Sequence, residues 1–334
     1  MVRKCLGIYL SVNKRIWRRL PESLKNRSIG RAYGRHLHTL VCRWSKRSQN
    51  HSTFFLRNRP EMELMCRLVD QKAPGAQVAI SVLACSKGAE VYSILWSIRR
   101  ARPDLKITLQ AVDISQEIID FAREGVYSLK SPASLNSVDH SGMTEEEKLT
   151  WATCRDQGND QLESVFQRMD ASEMDAMFDR DSDRAKVKLW LKEGIAWRVA
   201  DVSDPELIRL LGPQDVVVAN RFLCHMEPAS AERCLRNIAG LVKPGGYLFV
   251  SGVDLDVRTR VAKDMNWKPV SDLMREIYEG DSSLMTGWPL GWWGLEPFSK
   301  DHPDWRIRYA SVFRLQDPAI DAPNDSKERR LIVR

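Results

Sequence analysis

The 334-residue sequence predicts an α/β protein: a doubly wound, mostly parallel sheet with helices on both faces, joined to a small basic helical segment at its N-terminus. Three observations carry this expectation. Continuous apolar runs of strand length recur at 77–84, 106–112, 215–220 and 247–251, as strands covered on both faces require. Helix-period stretches separate them, giving the strand–helix alternation of a parallel sheet. Charge is split as well. Residues 1–50 carry thirteen Lys or Arg against one acid, Glu22, so they hold +12 of a chain whose total is +7, and the rest is acidic at −5.

The elements follow in order. Residues 1–58 form the basic segment, read as helices interrupted near Pro21 and Gly30, with Trp17, Leu20, Leu37, Leu40 and Trp44 interleaved among the cations. Such a segment suits an acidic partner or an anionic membrane surface, or simply packs on the body through its apolar residues; nucleic acid is not expected. The body spans 59–315. A helix over 59–73 places Met62, Leu64, Met65, Leu68 and Val69 on one side and ends at Pro74-Gly75. The first strand is Gln77–Ala84. A helix over Ala89–Ala101 follows, then a second strand over Lys106–Val112, ending at Asp113. Ser115 caps a helix over Gln116–Glu124.

Residues 128–192 are polar and weakly periodic. They read as a partly helical insertion, with a helix start at Met143–Lys148 and an acidic stretch over Asp170–Asp183. The alternation then resumes: a strand at Ala196–Val202, a helix at Leu207–Leu211, a strand at Asp215–Asn220 and a helix at Ala229–Leu241. A turn at Lys243–Gly246 leads to a strand at Tyr247–Ser251. A helix at Asp272–Tyr278 and a final strand at Trp305–Leu315 complete the body, and 316–334 read as a flexible tail.

No run of about 18 apolar residues is present, so no spanning helix is expected. The seven cysteines are scattered without a Cys-x-x-Cys pair, which argues against a zinc site or a disulfide framework. No metal is expected. A reducing cytoplasm fits, with the basic segment able to bring the chain to the inner face of the membrane.

The chemistry gathers at strand ends. The turn Ala84-Cys85-Ser86-Lys87-Gly88-Ala89-Glu90 lies between a buried strand and a helix N-terminus, where open α/β sheets bind ligands. Gly88 allows close backbone approach, and the helix N-terminus offers N–H groups to an anion. Asp113 lies 25 residues beyond Gly88 at the next strand end and suits the two hydroxyls of a ribose. It also suits a helix cap, and both roles are compatible. A dinucleotide site would need two closely spaced glycines and a third at the helix; this turn has only Gly88.

Four segments together resemble the CheR-type methyltransferases, whose best-known members esterify glutamates on bacterial chemoreceptors. Ser52-Thr53-Phe54-Phe55-Leu56-Arg57 resembles the family's Thr-x-Phe-Phe-Arg. Ala84 to Ser93 resembles Gly-Cys-Ser-Thr-Gly-Glu-Glu-Pro-Tyr-Ser. Ala111-Val112-Asp113-Ile114, with Gly125-Val126-Tyr127 after it, resembles the ribose-binding strand end. Asn220-Arg221-Phe222-Leu223 through Pro244-Gly245-Gly246 resembles Arg-Asn-x-Leu to Lys-Pro-Gly-Gly.

The resemblance spans about 50–255 and implies a class I methyltransferase-like fold that binds S-adenosyl-L-methionine. By it, Ala84, Cys85, Ser86 and Gly88 form the cofactor turn, Glu90 holds the amino group, and Asp113 with Ile114 lies at the ribose. Arg57 lies near the carboxylate of cofactor or acceptor, Asp201 and Val202 flank the adenine, and Asn220 and Arg221 line the methyl-transfer site.

Four departures stand out. Ala89 replaces the first of two paired glutamates, Leu56 stands between the phenylalanines and Arg57, Asn220-Arg221 inverts the usual order, and His225 occupies a position where the family commonly has tyrosine. A carboxylate acceptor needs no base, whereas a hydroxyl gains from one, and histidine suits that task. His225, with Arg57, is therefore the expected catalytic residue. The primary expectation is O-methylation of a small molecule, glycan or secondary metabolite, an amine acceptor remaining open. The alternatives are a protein-glutamate O-methyltransferase of the chemoreceptor type and a non-catalytic S-adenosylmethionine-binding regulator. Chemoreceptor enzymes carry a small β insertion near 128–192; little alternation is visible here, so receptor tethering is not expected. The segment Gly287 to Leu295, with Trp288, Trp292 and Trp293, either walls an acceptor pocket or caps the core under a loop.

Overall fold

The computed structural model describes residues 2–44, 47, 53–129, 164–285 and 287–316. Ser52, the helix start expected at Met143–Lys148 and the tail after 316 lie outside the described residues.

The first apolar run becomes β1 (Gln77–Leu83). On one side it pairs in parallel with β2 (Lys106–Asp113), Gln77 opposite Lys106 and Leu83 opposite Val112. On the other it pairs in parallel with β7 (Gln214–Val218), Ile80 opposite Val216. β6 (Ile195–Val199) extends the sheet beyond β2, and β8 (Val242–Phe249) beyond β7. β10 (Val312–Arg314) and the short β9 (Lys268–Pro269) close the far edge antiparallel, giving the order β6-β2-β1-β7-β8-β10-β9. Strand direction and order make this a doubly wound sheet whose switch point falls between β1 and β7.

Period-two alternation sends neighbouring residues into two cores. Val78, Ile80, Val82, Val216 and Val218 face one core, together with Leu64, Met65 and Leu68 of α4 (Arg59–Asp70) and Val91, Leu95 and Ile98 of α5 (Ala89–Ala101). Leu83, Val217, Leu248 and Val250 face the other, against Leu235 and Ile238 of α10 (Pro228–Ala239) and Val257 and Val261 of α11 (Leu255–Asp264). As expected, Ser115 caps α6 (Gln116–Glu124), its hydroxyl accepting from the Ile118 N–H.

Four expectations need correction. The insertion contributes β4 (Phe178–Asp181) and β5 (Arg184–Val187) to a three-stranded antiparallel sheet whose other strand, β3 (Val126–Ser128), lies at its start, in the order β3-β5-β4. Each strand is at most four residues long, too short for alternation to register in the sequence, yet Tyr127, Phe178, Ala185 and Val187 are all buried. Trp305–Arg308 is a helical turn and only Val312–Arg314 is strand. The Arg308 guanidinium donates to both Glu296 oxygens at 2.7 and 3.0 Å and to Asp256 at 2.8 Å, contacts with distant chain that hold this turn. Lys243–Gly246 is no turn but part of β8, accommodated by a bulge opposite Gln214–Val216. Gly30 does not interrupt the N-terminal segment, where α1 (Val2–Arg19) and α2 (Glu22–Lys25) precede a continuous α3 (Ser28–Trp44).

That segment is seated on the body. Trp17 meets Trp288 edge to face at 5.4 Å. Gly34 makes the seat possible, because a Cβ there would lie 2.4 Å from the Trp288 ring. Arg47 completes the attachment with bonds to the carbonyls of Cys224 and Met226, each 2.8 Å, and to Asp254 at 2.9 Å.

Phe55 joins the segment before α4 to the small sheet. Its ring meets Tyr127, Phe166 and Phe178 at 5.1, 5.6 and 5.0 Å and is fully buried. Phe55→Ala should cost about 3–5 kcal/mol of unfolding free energy in a denaturant titration. A loss below about 1 kcal/mol would show that the cluster is not cooperative with the core.

Candidate active site

The carboxyl ends of β1, β2, β6 and β7 open onto one cavity of about 310 Å³, at the lower end of ligand-site sizes. Ala84, Cys85 and Ser86 enter it from β1, and Asp113 and Ile114 from β2. Asp201 and Val202 enter after β6, and Asn220 and Arg221 after β7. Arg57, Glu90 and His225 complete the set. Of the residues expected from sequence, only Gly88 stays behind the wall, where it shapes the turn.

The turn is under backbone strain. Ala84, Ser86 and Arg221 adopt φ of 52°, 49° and 63°, and Leu56, beside Arg57, adopts 50°. These are four of the seven non-glycine residues with positive φ among the described residues, and each such conformation costs roughly 1–3 kcal/mol. Their concentration around one cavity marks it as the place where geometry is held for function. Gly88, at φ 83°, begins α5; a Cβ there would meet Ala122 at 3.1 Å and Trp197 at 3.2 Å. The Tyr127 hydroxyl holds the turn from behind by donating to the Lys87 carbonyl at 2.5 Å.

Asp113 is buried and accepts from the Ser86 N–H at 2.9 Å and the Ser115 N–H at 3.2 Å. It therefore ties the two loops together while facing the cavity, and a carboxylate retains further acceptor sites.

The Asn220 side chain is fully engaged. Its amide donates to Glu61 Oε1 at 2.6 Å and Glu90 Oε1 at 2.9 Å, and its oxygen accepts from the Ser251 N–H at 2.9 Å and hydroxyl at 2.8 Å. Two carboxyls thus share one amide inside the protein. Burial first, then the charge of Glu90, pushes Glu61 up to about 8. Burial raises Glu90 as well, against the pull of Arg57. Below the cavity floor, Asp281 accepts from Arg221 and, at 3.2 Å, from Arg168. Arg168 also donates to the Arg57 carbonyl. Burial, then the charge of Arg221, lowers Arg57 to about 10, so it stays cationic at neutral pH.

A pH dependence follows. The folded chain retains a proton on Glu61 that the unfolded chain, with its ordinary value of 4.5, gives up. That stabilisation is complete below 4.5 and is lost as pH rises through about 8. Glu61→Gln keeps the acceptor for Asn220 but cannot ionise. It should gain stability relative to the native chain by about 1.4 kcal/mol per pH unit across this window, measured by denaturant unfolding. A difference independent of pH would show that Glu61 titrates normally.

Two departures from the family pattern change meaning here. Leu56 does not displace Arg57, which is buried and lines the cavity. Ala89 packs in the apolar core, and Glu90 is the residue that faces the site. Glu61 and Asp281 were not anticipated. Glu61 had a signal: it shares the 61-64-65-68 stripe of α4, an acid at a core position. Asp281 had none, since it meets Arg168 and Arg221 only through the fold.

Residues 50–149 match the family model described as CheR methyltransferase, SAM binding domain, and residues 168–250 match a methyltransferase domain model. Over 223 residues the chain is 24% identical to Chemotaxis protein methyltransferase 1 of Vibrio cholerae, covering 65% of this chain and 69% of that protein. A chemotaxis protein methyltransferase of Vibrio parahaemolyticus is 23% identical with the same coverage. Among solved structures, an O-methyltransferase family protein from Burkholderia thailandensis is similar at 17% identity and a TM-score of 0.31, covering 68% of this chain and 42% of that one. The chain thus spans less than half the length of that relative.

Sheet order, cavity and matched domains define a class I, S-adenosylmethionine-dependent methyltransferase. Within that class residues 50–149 are similar to the CheR cofactor-binding domain, and the cofactor is S-adenosylmethionine.

Proposed function

We propose that the chain methylates a hydroxyl of a small molecule, glycan or secondary metabolite. The observation that carries this reading is His225. It lines the cofactor cavity from a 3-10 turn (Leu223–His225) just past β7. Its ring meets Trp292 edge to face at 5.2 Å, which orients the imidazole.

The donor set fits the cofactor. Glu90 would receive the ammonium, Arg57 the carboxylate and Asp113 the ribose, while Asp201 and the apolar Ile114, Val202 and Met226, which line the same cavity, would surround the adenine. Asn220 acts through Glu90, holding its carboxylate at 2.9 Å, and so is a positioning residue. Bound S-adenosylmethionine supplies a methyl group on a cationic sulfur. His225 takes the proton of the acceptor hydroxyl as its oxygen becomes nucleophilic, and the cavity aligns the groups. We place this chemistry in the cytoplasm, in keeping with the scattered cysteines. Among the described residues, no helix is long and apolar enough to cross a membrane.

A second reading, protein-glutamate O-methylation, draws support from the β3-β5-β4 sheet, which stands where chemoreceptor enzymes carry their small β insertion. The test is transfer of labelled methyl from S-adenosylmethionine into a cell lysate, separated into protein and small-molecule fractions. Label in the small-molecule fraction, stable to mild base, is expected. Base-labile label confined to protein would replace the first reading by the second.

A further inference from the structure

We propose that α1 docks on an anionic lipid surface, with Ile8, Val12 and Ile16 entering the boundary between headgroups and acyl chains and Arg15 and Arg19 meeting lipid phosphates. The inference does not depend on what the enzyme methylates.

One side of α1 is occupied. Tyr9, Asn13 and Trp17 follow at four-residue steps and share a face. The Tyr9 hydroxyl hydrogen-bonds His36 Nε2 of α3 at 3.0 Å, and the Tyr33 hydroxyl donates to Asn13 at 2.6 Å. Trp17 is buried against Tyr33 and Trp288. α3 in turn faces the body, where with Trp292 and Trp293 it lines a second cavity of about 320 Å³. These contacts fix which side of α1 is left outward.

The outward side carries an apolar row. Ile8, Val12 and Ile16 are 67%, 50% and 46% exposed. Their four-residue spacing keeps them within an arc of about 80° over about 12 Å of helix. Arg15 and Arg19 stand seven residues after Ile8 and Val12, so they fall on the same side, and both are exposed. Neither makes an ion pair among the described residues.

Charge and shape together choose the occupant. Glu22 is the one acid of residues 1–50, and it is paired with Lys25 at 2.7 Å. The segment therefore supplies no counter-charge to Arg15 and Arg19, and an anionic surface does. The depression on this side is shallow and bordered by Gly7, Ile8, Ser11, Val12 and Arg15, all from α1. A convex face made by one helix gives a protein partner no pocket for an anchoring side chain. A bilayer needs none, because it takes up an apolar row along the helix and meets the flanking cations with its own phosphates. The arginine stems can lie among apolar groups while their guanidiniums reach the headgroups.

The test is flotation of the full chain with vesicles of phosphatidylcholine alone or with a third phosphatidylglycerol. The chain should partition about a hundredfold more strongly onto the anionic vesicles, and that binding should fall as salt is raised. Ile8→Gln/Val12→Gln should weaken it by about tenfold or more, since less apolar area leaves water on docking. Arg15→Gln/Arg19→Gln should narrow the difference between the two vesicle types by about tenfold. All four side chains are exposed, so the denaturant midpoint of each variant should match the native chain. Equal binding to both vesicle types, or anionic binding that either double variant leaves intact, overturns the proposal. So does binding to poly-glutamate without binding to vesicles, which would assign the face to an acidic protein.

Discussion

Asp113→Ala should raise the dissociation constant for S-adenosylhomocysteine by about 100-fold or more. The carboxylate is buried, braces the β1 and β2 loops through the Ser86 and Ser115 N–H groups, and faces the cavity where the ribose would lie. A hydrogen bond to a charged group contributes about 1.5–3 kcal/mol, so losing two ribose contacts removes about 3 kcal/mol or more. That converts to about two orders of magnitude in affinity. Asp113→Asn separates the parts, since its amide oxygen still accepts from one loop N–H and one hydroxyl. It should lie between the native chain and the alanine variant. Calorimetry decides: a change below tenfold in a folded Asp113→Ala variant would remove the ribose from this residue.

His225→Ala should reduce turnover on a hydroxyl acceptor by about 10²–10⁴-fold. A general base works when deprotonated, so the native rate should rise with pH as the imidazole loses its proton. The variant should lose that rise. Affinity for S-adenosylhomocysteine should stay within a few-fold, because the cofactor contacts proposed here do not pass through His225. Near-normal turnover with an unchanged pH profile would sink the base assignment. It would also favour an acceptor that is already ionised, as a glutamate carboxylate is near neutral pH.

The two variants probe different kinds of knowledge about the molecule. Asp113 could be singled out before any coordinates because parallel strands end in loops at one edge of a sheet. An apolar run followed by a polar residue marks that edge. The same reasoning located Ala84–Ser86, the family resemblance added Asp201 and Asn220, and all of them line one cavity. Glu61 was legible in principle, as an acid on the apolar stripe of α4, but a stripe does not say which charge it meets. The strand at 126–128 escaped because its pairing with 184–187 spans more than fifty residues, and the local hairpin of 178–181 with 184–187 escaped because four residues are too few for alternation to register.

Sequence alone determined the doubly wound body, its cofactor edge and the family resemblance, since these rest on periodicity and on residues adjacent to strand ends. Tertiary structure decided how the edge is used. It joined Asn220 to both Glu61 and Glu90, brought Asp281 to Arg168 and Arg221, and set His225 against Trp292. It also seated the basic helices over a second cavity instead of leaving them as a separate arm. Each of these is a contact between residues distant in the chain, whose free energy depends on burial and mutual distance. Neither quantity exists until the core has formed around them.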